Sequence, residues 1–377
     1  MTHTQPASIL QHFSAIKDPR IDRRKRHKLG DIFFIALCAI ISGADDWTSI
    51  ALFGRAKEAW FTKVLGLENG IPSHDTFGNV FAMIDTEQFV KCFISWVEAL
   101  SDSSHGEIIA IDGKSIRRSL DRANNKSAIH LVSAWATKSH LVLGQQKVDE
   151  KSNEISAIPK LLENLNIEGS VITIDAMGCQ TKVASQIIER GADYMLSLKG
   201  NQSSLFEDVK TFFETPNTCP TIAHQSCDGG HGRIETRRVK ASSNIEWLKR
   251  RHPHWEGLTS IIAVSATREI KSVERREVRY FISSLDASNP ERLGAIVRAH
   301  WGIENNLHWV LDYAFNEDAQ RTRTGNSAAN FGIMRHVALN LLKADKVTKA
   351  GMKNKRLKAG WDDDYLLEII TKGRFND

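Results

Sequence analysis

The chain has 377 residues, 41% of them hydrophobic and 25% charged, and its 50 Lys and Arg outweigh 45 Asp and Glu to give a formal net charge of +5. That length points to two or three domains, and the composition excludes a disordered or collagen-like chain. Five scattered cysteines without a C-x-x-C pair exclude a disulfide framework and a zinc finger, and the most apolar run, Ile32 to Ile41, is too short to span a bilayer, so a soluble cytoplasmic protein is expected.

The first element is a basic arm in which Lys17, Arg20, Arg23, Arg24, Lys25, Arg26, His27 and Lys28 crowd together. Such a run is either a solvated face or a contact for a polyanion. Helical spacing continues in Leu29 to Ser42, with Gly43 as a stop, and again in Ser49 to Leu65. Ser73, Asp75 and Thr76 offer N-caps for a run over Phe77 to Ile84, and Glu87 to Leu100 closes the series. Residues 1–100 therefore form a small helical N-terminal domain, either DNA-binding or a support for the rest of the chain.

Ser101 to Gly106 has the texture of a linker. Glu107 to Gly113 is a buried strand ending in a carboxylate, Asp112. Ala128 to Trp135 and Leu141 to Val148 are β-rich runs joined by a turn at Thr137 to His140. A helix over Glu154 to Leu165 leads to a second buried strand, Ser170 to Ile174, which again ends in an acid, Asp175. A helix over Thr181 to Arg190 and a strand over Ala192 to Leu198 complete a mixed sheet flanked by helices.

Residues 200–290 interrupt that order with strand-like runs at Gly232 to Val239, Leu258 to Thr267 and Glu277 to Leu285, and a turn at Asp228-Gly229-Gly230. Helical periodicity returns at Pro290, a residue suited to a first turn, and continues through Asp312. Beyond Lys343 the chain is basic and loop-rich until Asp362 to Asp364, which cap a short helix over Tyr365 to Thr371.

A single carboxylate at a strand end is an ordinary turn residue. Two at the rim of one sheet repel each other unless a cation lies between them, and hard divalent ions with oxygen ligands supply it. Glu304 sits in a helix where His300, Glu304 and His308 fall four apart on one face, extended by Asp312. That spacing is not H-E-x-x-H, and no Cys joins it, which speaks against a zinc site. Trp301 and Trp309 imply a packed helix and are expected in the core rather than stacked on bases. Three carboxylates, Asp112, Asp175 and Glu304, make a two-metal site that activates a water or a DNA 3′-hydroxyl. Neither G-x-S-x-G nor a phosphate loop supports a rival chemistry.

Ile111-Asp112-Gly113-Lys114, Ile174 to Gln180, Lys199-Gly200-Asn201-Gln202, His231 to Arg237, Ile303 to Asp312 and Ala359 to Leu366 occur in this order along the chain. With these segments the chain resembles the DDE transposases of bacterial insertion sequences, in the branch of H-repeat-associated proteins. The resemblance implies an α/β fold with an RNase-H-like mixed sheet and flanking helices, interrupted by a β-rich insertion at about 200–290. It places a catalytic domain at 101–345 between the helical domain and a basic tail at 346–377. It implies Asp112, Asp175 and Glu304 as catalytic metal ligands for two Mg2+ or Mn2+ ions, with double-stranded DNA, at element ends and target, as substrate. A homodimer is expected in the active complex.

The DNA contacts expected beside that triad are Arg23, Arg24, Lys25 and Arg26 from the arm, Lys114 and Arg117 after the first Asp, and Lys199 and Asn201 after the last strand of the sheet. Arg233 and Arg237 share one face of a strand, and Arg298, His300 and His308 lie on the Glu304 helix. The chain departs from better-studied relatives in carrying His300 where an Arg stands and Leu311 where a Lys stands, so no hairpin mechanism is carried over. Two other readings remain: a metal-dependent nuclease that does not rejoin strands, and a catalytically silent DNA-binding remnant.

Overall fold

Ten consecutive residues of the second helix, Ile32 to Ile41, are all buried, and a helix apolar on every side must be enclosed by other elements. In the computed structural model, which describes residues 7–100, 106–120, 127–149, 153–215, 220–230, 233–270 and 273–371, six helices open the chain. They are α1 (Ala7–Phe13), α2 (Leu29–Ile41), α3 (Trp47–Ala56), α4 (Glu58–Leu65), α5 (His74–Met83) and α6 (Thr86–Leu100). The run expected as one helix from Ser49 to Leu65 divides at Lys57. Asp46 caps α3 by accepting from the Ser49 amide, and Gly66, at φ 67°, ends α4 in the left-handed conformation. Ser73 caps α5 through the Thr76 amide.

The next elements are β1 (Ile108–Ile116), β2 (Ile129–Ala136), β3 (Leu141–Lys147), α7 (Glu154–Asn164), β4 (Val171–Ile174), α8 (Thr181–Glu189), β5 (Asp193–Leu198) and α9 (Ser203–Glu214). Then come β6 (Ile222–Gly230), β7 (Arg233–Ser242), α10 (Glu246–Arg251), β8 (Ser260–Ile270) and β9 (Val273–Ser283). Among the described residues they form one nine-stranded sheet in the order β3-β2-β1-β4-β5-β9-β8-β7-β6. β1 lies beside β4, as the RNase-H-like order implies, and both pairs, β1–β4 and β4–β5, are parallel.

The β-rich segment is not set apart from the sheet. β9 runs antiparallel to β5 from Met195↔Ser283 to Leu198↔Tyr280, and β8, β7 and β6 continue outward. Asp228 to Gly230, expected as a turn, belongs to β6, because each residue there still pairs with β7. The link between those strands, residues 231–232, lies outside the described residues, as does most of the expected linker at 101–106.

Among the described residues, five α-helices follow: α11 (Pro290–Ile303), α12 (Trp309–Phe315), α13 (Ser327–Ala344), α14 (Met352–Trp361) and α15 (Asp363–Thr371). α13 is the axis of the molecule, buried from Ser327 to Leu342 and packed on α2, α5 and α6 on one side and β2 and β3 on the other. Its two asparagines satisfy backbone groups that no ladder reaches. Asn340 both donates to and accepts from Val142 of the edge strand β3, at 2.9 Å each way, and Asn330 donates to the carbonyls of Phe81 and Ile84 at the end of α5. One continuous apolar core therefore runs from α1 to the sheet.

The stretch beyond Lys343 is not loop-rich. α14 occupies it, and Lys355 and Arg356 are buried rather than solvated. Arg356 donates to the carbonyls of Ile40, Ala44 and Ala314 and pairs with Asp45 at 3.0 Å. A cation at the C-terminus of α2 complements its unsatisfied carbonyls, which explains why a charge survives this far inside.

Candidate active site

The last parallel pair of β1 and β4 is Ile111↔Ile174. The next residue on each chain is an acid, so Asp112 and Asp175 emerge side by side at the rim, about one strand spacing apart. β1 does not end there as expected. It runs on to Ile116 because β2 keeps pairing with it, through Asp112↔Ser133 to Ile116↔Ile129. After β4 the chain turns away, and the Asp175 carboxylate accepts from the amides of Met177 at 3.0 Å and Gly178 at 3.3 Å. Asn201 donates to the Ala176 carbonyl at 2.6 Å and Gln202 to that of Cys179 at 3.0 Å, clamping this turn from β5's side.

The expected continuous helix from Pro290 to Asp312 is broken by a π-helical turn, Glu304–His308, closed by the Trp309 amide on the Glu304 carbonyl. Such turns are rare and concentrate at functional sites. This one brings Glu304 and His308 to Asp112: His308 Nδ1 lies 3.5 Å from Asp112 Oδ2 and 3.7 Å from Glu304 Oε2. Ligand-capable atoms of Asp112, Glu304 and His308 all fall within 4.8 Å of one another. Asp175 lies outside that group but close enough for its charge to be felt. Burial, with the charges of Glu304 and Asp175 and against that of His308, pushes the Asp112 carboxyl up to about 7. The neighbouring His308 ring holds Glu304 below its ordinary value. His300, one turn earlier, meets Thr173 Oγ1 of β4 at 3.0 Å, and burial lowers its pKa below the ordinary value. An ionised pair with no cation is costly in such a place, and a divalent ion with oxygen and nitrogen donors relieves it.

Behind the rim lies an ionic layer that no local sequence signal marks. Lys114 shares the face of Asp112 on β1. Its Nζ pairs with Asp312 and, at 2.7 Å, with Glu317, whose side chain is 2% exposed. Burial works against ionisation of Glu317, but Lys114 and Arg335 outweigh it and the carboxyl stays low. Arg335 is fully buried, stacked 4.3 Å over the Phe331 ring, bonded to Gln320, and pulled by burial down to about 10. Next to it on α13, burial pulls the His336 imidazole down to about 4.

That depressed imidazole makes the fold sensitive to acid. An unfolded histidine protonates near 6.5, so between that pH and about 4 the unfolded chain holds a proton that folded His336 refuses. Stability contributed here is intact above pH 6.5 and is lost as the pH falls toward 4. Replacing His336 with Leu should make the decline shallower by about 3 kcal/mol. Chemical denaturation of both proteins across that range checks it, and superimposable slopes would sink it.

The opposite face of β1 carries a second polar cluster. Ser115 Oγ meets His130 Nδ1 at 2.8 Å, and His130 Nε2 meets Glu154 at the start of α7. Both partners close over Gly113, where a Cβ would collide with the Glu154 carboxylate and the His130 ring. A Gly directly after a strand-end acid is the one sequence signal of this cluster. Gly113→Ala should cost about 1–3 kcal/mol. The loss should shrink in a Glu154→Ala background, and additive losses in denaturation would mean the two do not touch.

The residues expected at DNA are distributed unevenly. Arg23, Lys25 and Arg26 are exposed on the N-terminal arm, with Lys25 on Asp22 at 2.8 Å and the Arg26 carbonyl held by Asn69. The side chains of Arg24 and Arg233 lie outside those described. Lys114 is turned inward as above, Arg117 is exposed beside Asp318 at 3.3 Å, and Lys199 is exposed. Arg237 and Arg298 converge on Asp228, at 2.9 and 2.7 Å. With Arg268 and Arg279 they line a groove of about 560 Å³ between β7–β9 and α11, next to Glu304's turn. Trp301 and Trp309 are not core residues: they are 46% and 59% exposed. Trp301 stands on the groove's lip with Arg279 4.6 Å above its ring, and Trp309 stacks on Tyr313 at 4.8 Å.

Residues 103–341 match the family model described as Transposase DDE domain, and residues 10–97 match the model described as DDE_Tnp_1-associated. The chain is 42% identical to "Putative transposase YncI" of Escherichia coli O157:H7, over 97% of its own length and 94% of that protein's. It is 40% identical to "H repeat-associated putative transposase YhhI" of Escherichia coli K12, over 96% and 97%. An "Uncharacterized protein in dhlA 3'region" of Xanthobacter autotrophicus is 46% identical over 72% of this chain and 92% of that one.

Proposed function

Because the chain belongs to the DDE transposase family, we propose that it binds double-stranded DNA at the ends of its own insertion sequence and performs strand cleavage and strand transfer there with two divalent cations, Mg2+ or Mn2+. The observation that carries this reading is the shared register of β1 and β4, which sets Asp112 and Asp175 side by side, with Glu304 brought against Asp112 by the π turn.

Asp112, Asp175 and Glu304 would hold the cations, and the donor set fits, since the carboxyl most disfavoured as an anion, Asp112, is the one shared by both neighbours. When bound, a divalent pair activates the attacking oxygen and stabilises the leaving one in an in-line displacement. The chain's own residues do the rest. His308 keeps Glu304 ionised. His300, bonded to Thr173, fixes the helix to β4 beside Asp175. The arginines of the groove beside the site would track the phosphate backbone, with affinity that falls as salt rises. Trp301 and the Trp309–Tyr313 stack offer exposed ring faces for unpaired bases. We assign the DNA-binding role of the N-terminal region to the exposed arm at Arg23, Lys25 and Arg26 rather than to the buried face of α2. The functional division is 1–100, 101–345 and 346–377, and pairing two ends calls for a homodimer on DNA. Among the described residues no helix is long and apolar enough to cross a membrane.

The test is a labelled DNA carrying the element's own ends, incubated with Mg2+ or Mn2+. Nicks at the ends, then joining of pre-cleaved ends to a target, would support the reading. Cutting without joining would leave a nuclease. Binding without cutting would leave a silent remnant.

A further inference from the structure

We propose that the cation held by Asp112 and Glu304 also takes the imidazole of His308 as a ligand, through Nδ1. The two cation positions would then differ in kind, one all-oxygen at Asp112 and Asp175, the other mixed oxygen and nitrogen. This rests on the reading that the carboxylate rim binds divalent cations.

The π turn begins at Glu304 and ends at His308, so the two helix donors are the two ends of one irregular turn. His308 is 5% exposed, and its ring cannot swing into solvent to avoid the acids. Its Nδ1 stands 3.5 Å from Asp112 Oδ2 and 3.7 Å from Glu304 Oε2. Those separations are too long for a good N–H···O hydrogen bond, which spans about 2.7–3.2 Å. They are close to what two donors on one ion show: bonds of about 2.1 Å at angles between a right angle and a tetrahedral one place donors about 3–3.5 Å apart.

The ring's other nitrogen, Nε2, is buried without a hydrogen-bond partner among the described residues. With a proton on Nε2, the Nδ1 lone pair faces two carboxylates, and a cation among the three donors turns that conflict into coordination. His300 is differently placed, because its Nδ1 is already engaged by Thr173. Asp175 offers only oxygen, and its carboxylate is partly spent on the Met177 and Gly178 amides. An imidazole in the shell favours Mn2+, Co2+ or Zn2+ over Mg2+, whereas the carboxylate pair suits Mg2+.

The test uses the full chain without DNA, titrated with sub-stoichiometric Mn2+ and observed by pulsed electron paramagnetic resonance and by calorimetry. Wild type should show a nitrogen coupling from one imidazole. His308→Asn, whose carboxamide binds cations through oxygen, should lose that coupling and bind Mn2+ about ten- to a hundred-fold more weakly. A wild-type signal without nitrogen coupling overturns the proposal, and this measurement needs no variant to fold. Coupling that persists in His308→Asn assigns the nitrogen elsewhere, His300 first, and also overturns it. Asp112→Asn separates the premise from the proposal. If it leaves Mn2+ binding untouched, cation binding at this rim fails and His308 falls with it. If Asp112→Asn loses the ion while His308→Asn keeps both affinity and coupling, only the nitrogen ligand is wrong.

Discussion

Asp112→Asn is expected to reduce cleavage at the element's ends by roughly a thousand-fold or more if Asp112 holds a cation as proposed, since losing a metal-binding carboxylate forfeits several kcal/mol of transition-state stabilisation. DNA binding should persist, because the groove arginines and the basic arm do not depend on this side chain. The same substitution should stabilise the cation-free fold at pH 8. Burial and the two neighbouring acids push the Asp112 carboxyl up to about 7, so its ionised form costs the native state free energy that the unfolded chain does not bear. The cost is absent below the unfolded value of 3.8, grows as pH rises through about 7, and is absent in Asn at any pH. Wild type and variant should therefore differ in melting temperature at pH 8 and converge near pH 4. A variant that cuts normally would remove Asp112 from the chemistry. One that is dead and also unstable at pH 8 would mean that Asp112 supports the fold instead.

Lys114→Met should destabilise the fold strongly, with an expected loss of about 3–5 kcal/mol. The side chain replaced is nearly isosteric. The damage lies in the acids it leaves behind: among the described residues, Glu317, 2% exposed, would be left with Arg335 as its main compensating cation, and Asp312 would lose its pair. Breaking one partner of a buried pair costs far more than the pair itself contributes. Accordingly, adding Glu317→Gln to Lys114→Met should recover part of the loss, a coupling that a double-mutant cycle in urea measures. A single-mutant loss under about 1 kcal/mol would show that the layer is hydrated and its charges solvent-screened.

The positions of Asp112 and Asp175 are legible in the sequence because each comes after a run of buried β-formers, and that run fixes a strand and hence a rim. The adjacency of the two strands rests on the order of elements and on resemblance. The π turn leaves no mark, since one extra residue in a helical turn changes neither composition nor capping. Trp301 and Trp309 are misplaced by the usual association of large rings with cores, which fails beside a groove. Arg356 cannot be read from a basic stretch, because its partners Ile40 and Asp45 lie at the other end of the chain. α13 is so enclosed that its apolar residues carry no one-sided stripe, and the polar residues that would otherwise mark a face, Asn330, Arg335, His336 and Asn340, are buried as well. Lys114, expected at a phosphate, illustrates the same limit: local sequence shows a charge after an acid, and only the fold shows that it faces inward.

The bond from Arg356 to the Ile40 carbonyl joins residues 316 apart in sequence, and it delays the completion of the fold during synthesis. At about 5–20 residues per second, a ribosome that has made α2 needs roughly 15–60 s more to supply the side chain that closes it. During that interval the most apolar helix of the protein lacks α13 to cover it and α14 to cap it. Until α13 and α14 have been made, this apolar helix stays uncovered, and the rim at Asp112 and Asp175 lacks the Glu304 turn that completes it.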